Sequence, residues 1–322
     1  MDFTKKFNVG LTLETNYKAF AAFLEKYHSY IHSFYFSPPV GRRFHTRNKV
    51  AQAFWLPGKK RMFWKMLELI KSYDIELELL FNTLRLDEEQ VGRAAQLLQD
   101  HQIQVDSVCF LEAYYPAVRK YFPGKKYILS FNNGYQRKEQ IRQALREYDA
   151  QVFVLGTSFI RNNRMFAYLH EQGKQTYLIL NNGCSFNCDT CNNVLSVCEQ
   201  SFHKNLQKHS VEYLYALQSI FPHELRDGSI DPSYITCFKL SNRSSNLKFL
   251  QGAMDSYITG RVDDYVRADK NNYAFWGRAG YFWKYFPKMD LDKIRQYKEQ
   301  ILQKDASQRL YTDEADNKRE AK

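Results

Sequence analysis

The chain has 322 residues, 44% of them hydrophobic, enough for one sizeable core and ordinary for a barrel domain of about 250 residues with additions. No apolar stretch reaches the roughly eighteen residues of a membrane span, and Met1–Gly10 lacks the apolar run of a secretory signal, so a cytoplasmic protein is expected. The net charge of +11 favours anionic partners, such as nucleic acid, phosphates or carboxylates, without choosing among them.

Short apolar runs then alternate with amphipathic segments. Strands are predicted near Phe7–Leu13, Ile31–Ser37, Ile75–Asn82, Val105–Glu112, Lys126–Asn132, Gln151–Thr157, Thr176–Asn181 and Tyr234–Leu240. Helical spacing places Phe20, Phe23, Leu24 and Tyr27 on one face of Thr15–Tyr30, and Phe63, Met66, Leu67 and Ile70 on one face of Lys59–Tyr73. Asp87–Asp100 opens on a capping aspartate with acidic residues in its first turn. Arg137–Tyr148 and Asn162–Gln172 follow, the latter ended by Gly173, which accepts the left-handed conformation.

Strands alternating with helices imply parallel pairing through crossovers. A count of eight predicts closure into an α/β fold, a (β/α)8 TIM-like barrel over residues 1–303, with a doubly wound open sheet as the alternative. Two connections are long: Pro38–Lys60 after strand two, and a cysteine-rich insertion, 182–233, between strands seven and eight. Both begin at the C-terminal face, where barrel enzymes keep their active sites. A helical extension follows strand eight, and the polar tail 304–322 is expected to be disordered.

Of six cysteines, four lie within 184–198 and Cys237 lies on strand eight. Clustered cysteines in a reducing compartment are more often metal ligands than disulfides. Thiolates are soft ligands, and four of them suit zinc or an iron–sulphur cluster. Gly183 permits a sharp turn before Cys184, and the short spacing keeps the loop-closure cost low. Cys184, Cys188 and Cys191 also form the C-x3-C-x2-C spacing of radical S-adenosylmethionine enzymes, where the motif follows the first barrel strand; here about seven strands precede it. A zinc knuckle pinning the insertion is the structural alternative.

Strand parity puts Ile235, Cys237 and Lys239 on one face, with Lys239 near the mouth. Glu14, Asn82, Glu112, Asn132, Asn182 and Arg243 fall at or just past strand ends. Glu112 beside Lys239 would relay protons. Cys109 has the opposite parity to Glu112, so with Glu112 inward it is expected to face a helix as an ordinary buried cysteine. The loop carrying Arg42, Arg43, His45 and Arg47, followed by Phe54 and Trp55, combines guanidinium groups with aromatics; it would clamp a dicarboxylate, grip RNA, or stand as a plain exposed loop. Tyr114, Tyr115 and Tyr135 are candidates to line an apolar pocket, while His203 and His209 read as surface or packing residues. No serine nucleophile elbow or zinc-protease helix is visible, which disfavours a hydrolase.

The run Asn181-Asn182-Gly183-Cys184-Ser-Phe-Asn-Cys188, closing a strand, resembles the collagenase-like peptidase family (unassigned-peptidase family thirty-two), whose members often carry Asn-Glu-Gly-Cys with a second cysteine four positions on. Cys237-Phe-Lys239-Leu-Ser-Asn-Arg243 is similar to that family's Phe-Lys-Ile-x-Gly-Arg, and Tyr257–Tyr265 resembles the segment that follows it. The resemblance covers roughly residues 176–266. It implies a cysteine-ligated [4Fe-4S] barrel that is not a true peptidase, of the kind acting in oxygen-independent hydroxylation of transfer RNA, ribosomal RNA or a quinone precursor, with prephenate as hydroxyl source. It also implies Cys184, Cys191, Cys198 and Cys237 as ligands, with Cys188 a rival for a place. Departures are Asn182 for the usual Glu, Asp189 where Pro is common, and Asn242 where Gly is common.

The expectation is therefore an iron–sulphur oxidoreductase or hydroxylase-like enzyme. It would act on a small anionic or aromatic substrate, with an electron donor or second barrel subunit as partner. The cluster would transfer electrons or bind substrate, Lys239 and Arg243 would position an anion, and Glu112 would handle protons. Two alternatives stand beside it. One is a radical S-adenosylmethionine enzyme using Cys184, Cys188 and Cys191. The other is a zinc-stabilised RNA-binding or scaffold protein with salt-dependent binding.

Overall fold

The computed structural model describes residues 1–11, 16–40, 54, 56–82, 86–135, 137–155, 159–180, 206–240, 247–261 and 289–304. Eight short strands run in chain order: β1 (Phe7–Gly10), β2 (Ile31–Phe36), β3 (Glu76–Phe81), β4 (Ser107–Phe110), β5 (Lys126–Leu129), β6 (Val152–Leu155), β7 (Gln175–Ile179) and β8 (Cys237–Lys239). Each is parallel to the next, and β8 pairs with β1, so the sheet closes as a barrel.

The helices are α1 (Tyr17–Tyr27), α2 (Lys59–Ser72), α3 (Glu88–Asp100), α4 (Tyr115–Tyr121), α5 (Lys138–Glu147), α6 (Asn163–Glu171), α7 (Val211–Gln218) and α8 (Leu247–Thr259), followed by helical residues 291–304. The expected (β/α)8 TIM-like barrel is what the chain forms. Asp87 caps α3 through a reciprocal box with Gln90, satisfying end N–H groups that no turn of helix can reach. Asn162 caps α6, and Gly173 sits beyond its end at φ +67. Helix α4 carries no long apolar stripe and is opened by Pro116 in its first turn. No helix among the described residues is long and apolar enough to cross a membrane.

Alternation along the strands makes two separate cores. Val9, Phe34, Leu77, Leu79, Val108, Phe110, Phe153, Leu178 and Phe238 face outward into one apolar layer with the helices. Tyr35, Leu80, Cys109, Ile128, Val152, Val154, Tyr177, Ile179 and Cys237 face inward and form their own cluster on the axis. Full burial of each large apolar side chain contributes about 1.5–3 kcal/mol, so both layers favour closure.

Three expectations are corrected by this alternation. Cys109 faces the axis rather than a helix, because β4 ends at Phe110 and Glu112 lies in the 3-10 turn Glu112–Tyr114, where strand parity no longer applies. Ile235 packs with the outer layer, apart from Cys237 and Lys239, because β8 begins only at Cys237, after the turn Pro232–Tyr234. Phe54 is not a stacking surface: it is buried edge-on against Phe63 and Trp64, with centroids 5.4 and 5.9 Å away.

The connection from β7 to β8 is clipped at its base. Leu180 N–H donates to Lys239 O (3.0 Å), and Ile220 N–H donates to Leu180 O (2.8 Å). Outside the barrel, Arg161 Nε donates to Glu224 Oε2 at 2.6 Å, and Lys298 Nζ lies 2.8 Å from Glu224 Oε1. The same two cations donate to the carbonyls of Leu217, Ser219 and Ala216. This fastens the C-terminal helical residues and the end of the insertion to the segment after β6.

Candidate functional site at the barrel axis and mouth

Inward positions of β1, β2, β3 and β8 include polar side chains, and these find one another. Lys239 Nζ donates to Asn8 Oδ1 (2.6 Å) and Glu78 Oε1 (2.7 Å) and lies 3.9 Å from the centre of the Tyr35 ring. Asn8 Nδ2 donates to Ser33 Oγ (2.6 Å) and Glu78 Oε2 (2.8 Å). The ammonium therefore spends its three donors on two oxygens and one aromatic face. Glu78 is wholly buried and Lys239 is 6% exposed. Burial disfavours the lysine's charge, but the adjacent Glu78 carboxylate outweighs it and the pKa is raised.

Gly10 makes this arrangement possible. A Cβ there would stand 3.0 Å from the Tyr35 ring. Without it the ring crosses β1, and its hydroxyl donates to Leu240 O (2.5 Å) at the end of β8. Next to Glu78 in the β3–β4 register is Ser107, also fully buried, whose Oγ has no hydrogen-bond partner among the described residues. Beneath, towards the N-terminal ends of the strands, Glu76 pairs with Lys126 (2.9 Å) and His32 Nε2 meets Tyr177 Oη (2.9 Å).

Cys237 lies on the axis at the start of β8, with its thiol donating to Lys6 O (3.1 Å). Burial pushes this thiol well above its usual pKa, and the Glu78 charge adds to the shift. Cys109 shares the axial cluster, and neither forms a disulfide.

At the C-terminal rim, Glu112 is half-buried just past β4. Its N–H donates to Asn133 Oδ1 (3.0 Å), and its carboxylate accepts the Tyr135 hydroxyl. Burial and then this carboxylate push the Tyr135 phenol upward, and burial with Glu112 pushes Tyr148 up to about 12. Asn132 Nδ2 donates to Asn82 O (3.0 Å), joining two of the expected rim residues. Tyr114 is buried and its hydroxyl oxygen accepts the Leu86 N–H at 3.1 Å, while Tyr115 stacks on Phe110 at 5.4 Å; both serve packing. His209 stacks on Tyr213 at 4.6 Å.

Lys239 and Glu112, expected as neighbours, have different partners: the carboxylate that meets Lys239 is Glu78. Sequence reasoning missed Glu78 and Asn8. Alternation in Glu76-Leu-Glu78-Leu-Leu put both glutamates on one strand face, a signal that becomes an axial one only once the barrel is closed. Cys184, Cys188, Cys191, Cys198, Arg243, Glu14, Asn182, His203, Trp55 and the Arg42–Arg47 loop lie outside the described residues. Among the described residues no group of three or more His, Cys, Asp or Glu is placed to hold a metal ion.

No family model and no curated protein matches the chain. Among solved structures it is similar to a U32 peptidase, at 11% identity and a TM-score of 0.42, over 76% of this chain and 96% of that one. It is also similar to an N-succinyl Arg/Lys racemase from Bacillus cereus (11% identity, TM-score 0.40), covering 75% of this chain and about half, 53%, of the racemase. An amidohydrolase from Burkholderia ambifaria with bound Zn gives 11% identity and a TM-score of 0.39, over 89% of this chain and 72% of that one.

Proposed function

We propose that this chain is an iron–sulphur enzyme working at the C-terminal mouth of its barrel, by oxygen-independent redox or hydroxyl-transfer chemistry on a small anionic or aromatic molecule. The observation that supports this reading is the clip at the base of the cysteine-rich connection. Leu180 and Ile220 bond to each other, and Leu180 also bonds to Lys239 O, so the connection bearing Cys184, Cys188, Cys191 and Cys198 leaves the barrel just past β7, beside the end of β8, and is tied back to that point at Ile220. Cys184 follows Leu180 by four residues, which reach at most about 14 Å. Four soft thiolates in so short a segment suit a [4Fe-4S] cluster, which supplies one-electron redox chemistry when bound.

The chain's own residues divide the remaining work. Lys239 holds its charge on the axis, with its donors already spent on Asn8, Glu78 and Tyr35, so it fixes the floor of the mouth. Arg243, four residues beyond it, is the group left to bind an anion, by the two-pronged geometry guanidinium offers. Glu112 takes up a proton on the β4 side, while Tyr135 keeps its own because its phenol is pushed upward.

Anaerobic purification followed by iron, sulphide and zinc analysis tests the reading. About four irons and four sulphides per chain are expected. One zinc and no iron would leave a metal-stabilised scaffold instead, with RNA binding the next property to measure.

A further inference from the structure

We propose that His32 is a proton switch in the floor of the barrel: neutral, its ring accepts the Tyr177 hydroxyl; protonated, it turns to Glu76 and releases that hydroxyl to the axis. Its groups lie beneath the Lys239–Glu78 pair, on the side away from the mouth, so the switch operates whether or not the mouth holds iron.

A local irregularity aims the ring. Phe7 pairs with Ile31 but Asn8 pairs with Ser33, so His32 is an extra residue of β2 with no counterpart on β1. Strict alternation would send it outward, because Ser33 bonds the axial Asn8 and Phe34 lies in the outer layer. Bulges re-aim side chains, and here Nε2 comes 2.9 Å from the hydroxyl of Tyr177, an inward residue of β7. The two rings meet edge to face, with centroids 5.8 Å apart. The same nitrogen lies 3.6 Å from Glu76 Oε2, just beyond hydrogen-bond reach, while Glu76 is held by Lys126 at 2.9 Å.

One nitrogen thus stands between two partners, and a proton decides which it serves. Bare, Nε2 is an acceptor and suits a phenol. Protonated, it is a donor and suits the carboxylate, and the phenol must donate elsewhere. Tyr177 keeps its own proton throughout, because burial, with the Glu78 and Glu76 charges among its neighbours, pushes its phenol well upward. Protons arrive from solvent: the His32 and Glu76 side chains are 19% and 32% exposed, whereas Tyr177 is wholly buried. Burial pushes the imidazole pKa below its ordinary value; Glu76 and Glu78 on β3 pull it up, and Lys126 on β5 and Lys5 before β1 push it down. The stability contributed by the neutral ring is therefore complete above 6.5 and is lost as pH falls from there towards the folded value.

The test follows the ring C2 proton of His32 by NMR across the histidine range, assigned by its absence in His32→Gln. The wild-type midpoint is expected below 6.5. Tyr177→Phe removes the donor that the neutral ring accepts and should raise the midpoint. Glu76→Gln removes the acceptor of the protonated ring and should lower it, each by about half a unit or more. A histidine that only fills space would not move in opposite directions with the two changes. Should either variant fail to fold, wild type decides: hydrogen–deuterium exchange at the histidine C2 carbon, read by mass spectrometry, gives the midpoint, and tyrosine ultraviolet difference absorbance should change with that same midpoint. A wild-type midpoint at or above 6.5, a Tyr177→Phe midpoint that falls or stays, a Glu76→Gln midpoint that rises or stays, or a tyrosine signal that does not follow His32 overturns the proposal.

Discussion

Among the described residues two carboxylates are completely buried, Glu78 on the barrel axis and Glu224 outside the barrel wall, and the two burials are solved differently. Glu224 has two cations, Arg161 and Lys298, whose spare donors are taken by backbone carbonyls of the insertion. Burial alone would push its carboxyl up; the two cations outweigh burial and hold it at about 2. Glu78 has one cation, and its second oxygen is met by a neutral amide, Asn8. The outer trio holds excess positive charge and joins loops far apart in sequence. The axial group is electrically balanced and joins strands already paired by their backbones. Loop anchoring therefore depends on charge, and axial order depends on hydrogen-bond geometry.

The largest effect is expected from Glu224→Ala, which leaves two buried cations without a counter-charge; breaking a buried pair costs about 3–5 kcal/mol, read as a fall in the urea midpoint. The pH dependence follows in sign. Because the folded carboxyl titrates below its unfolded value, its contribution is complete above the unfolded pKa and is lost as pH falls towards 2. That loss is on the order of 3 kcal/mol, and Glu224→Gln should flatten the acid limb between about pH 5 and 2.

Glu78→Gln comes next, since it strands the Lys239 charge. The paired change Glu78→Gln with Lys239→Met should recover most of the loss, because an apolar replacement of a whole buried pair is often neutral. If the double variant is no better than the single one, the axial group is not the balanced unit described. Lys239 has a raised pKa, so its contribution is present below the unfolded value and disappears as pH climbs through the folded one; removing it should blunt alkaline unfolding.

Gly10→Ala drives a methyl into the Tyr35 ring at 3.0 Å and should cost about 1–3 kcal/mol through overpacking. Tyr35→Phe keeps the ring over the ammonium but removes the bond to Leu240 O, a loss of about 1 kcal/mol. Thermal unfolding of the two variants ranks them. The smallest effect belongs to Lys120→Ala, which breaks the exposed, water-screened pair with Glu88: a shift close to the error of a thermal melt, and smaller still in high salt.

The barrel was legible because its signals are local. Each strand is a short apolar run, and Asp87, Asn162 and Gly173 mark helix ends through contacts within a few residues. Helix α4 was missed because seven residues give too little periodicity to separate it from a loop. The axial group was missed for a different reason. Asn8 and Lys239 are 231 positions apart, and Glu78 is 161 from Lys239. Parity placed Cys237 and Lys239 correctly on one face, yet parity carried past the end of a strand misplaced Glu112 and with it Cys109. Face can be read within an element; the partner waiting across the barrel cannot.

The pairing of β8 with β1 sets an order on folding. During synthesis β1, β2 and β3 emerge early, so Asn8, Ser33 and Glu78 can meet long before the last strand leaves the ribosome. Their cation arrives only with Lys239. Until then Glu78 is better left hydrated than buried, because a lone carboxylate is costly in an apolar interior. The axis therefore closes last, and the half-made barrel has a reason to stay open. Such late closure between distant strands is slow, since a long loop must be fixed before its contacts return any stabilisation. Residues of the first and last strands thus act as a latch on biogenesis: a ribosome-stalled chain ending before β8 should remain protease-sensitive across β1–β3, and become resistant once Lys239 has emerged.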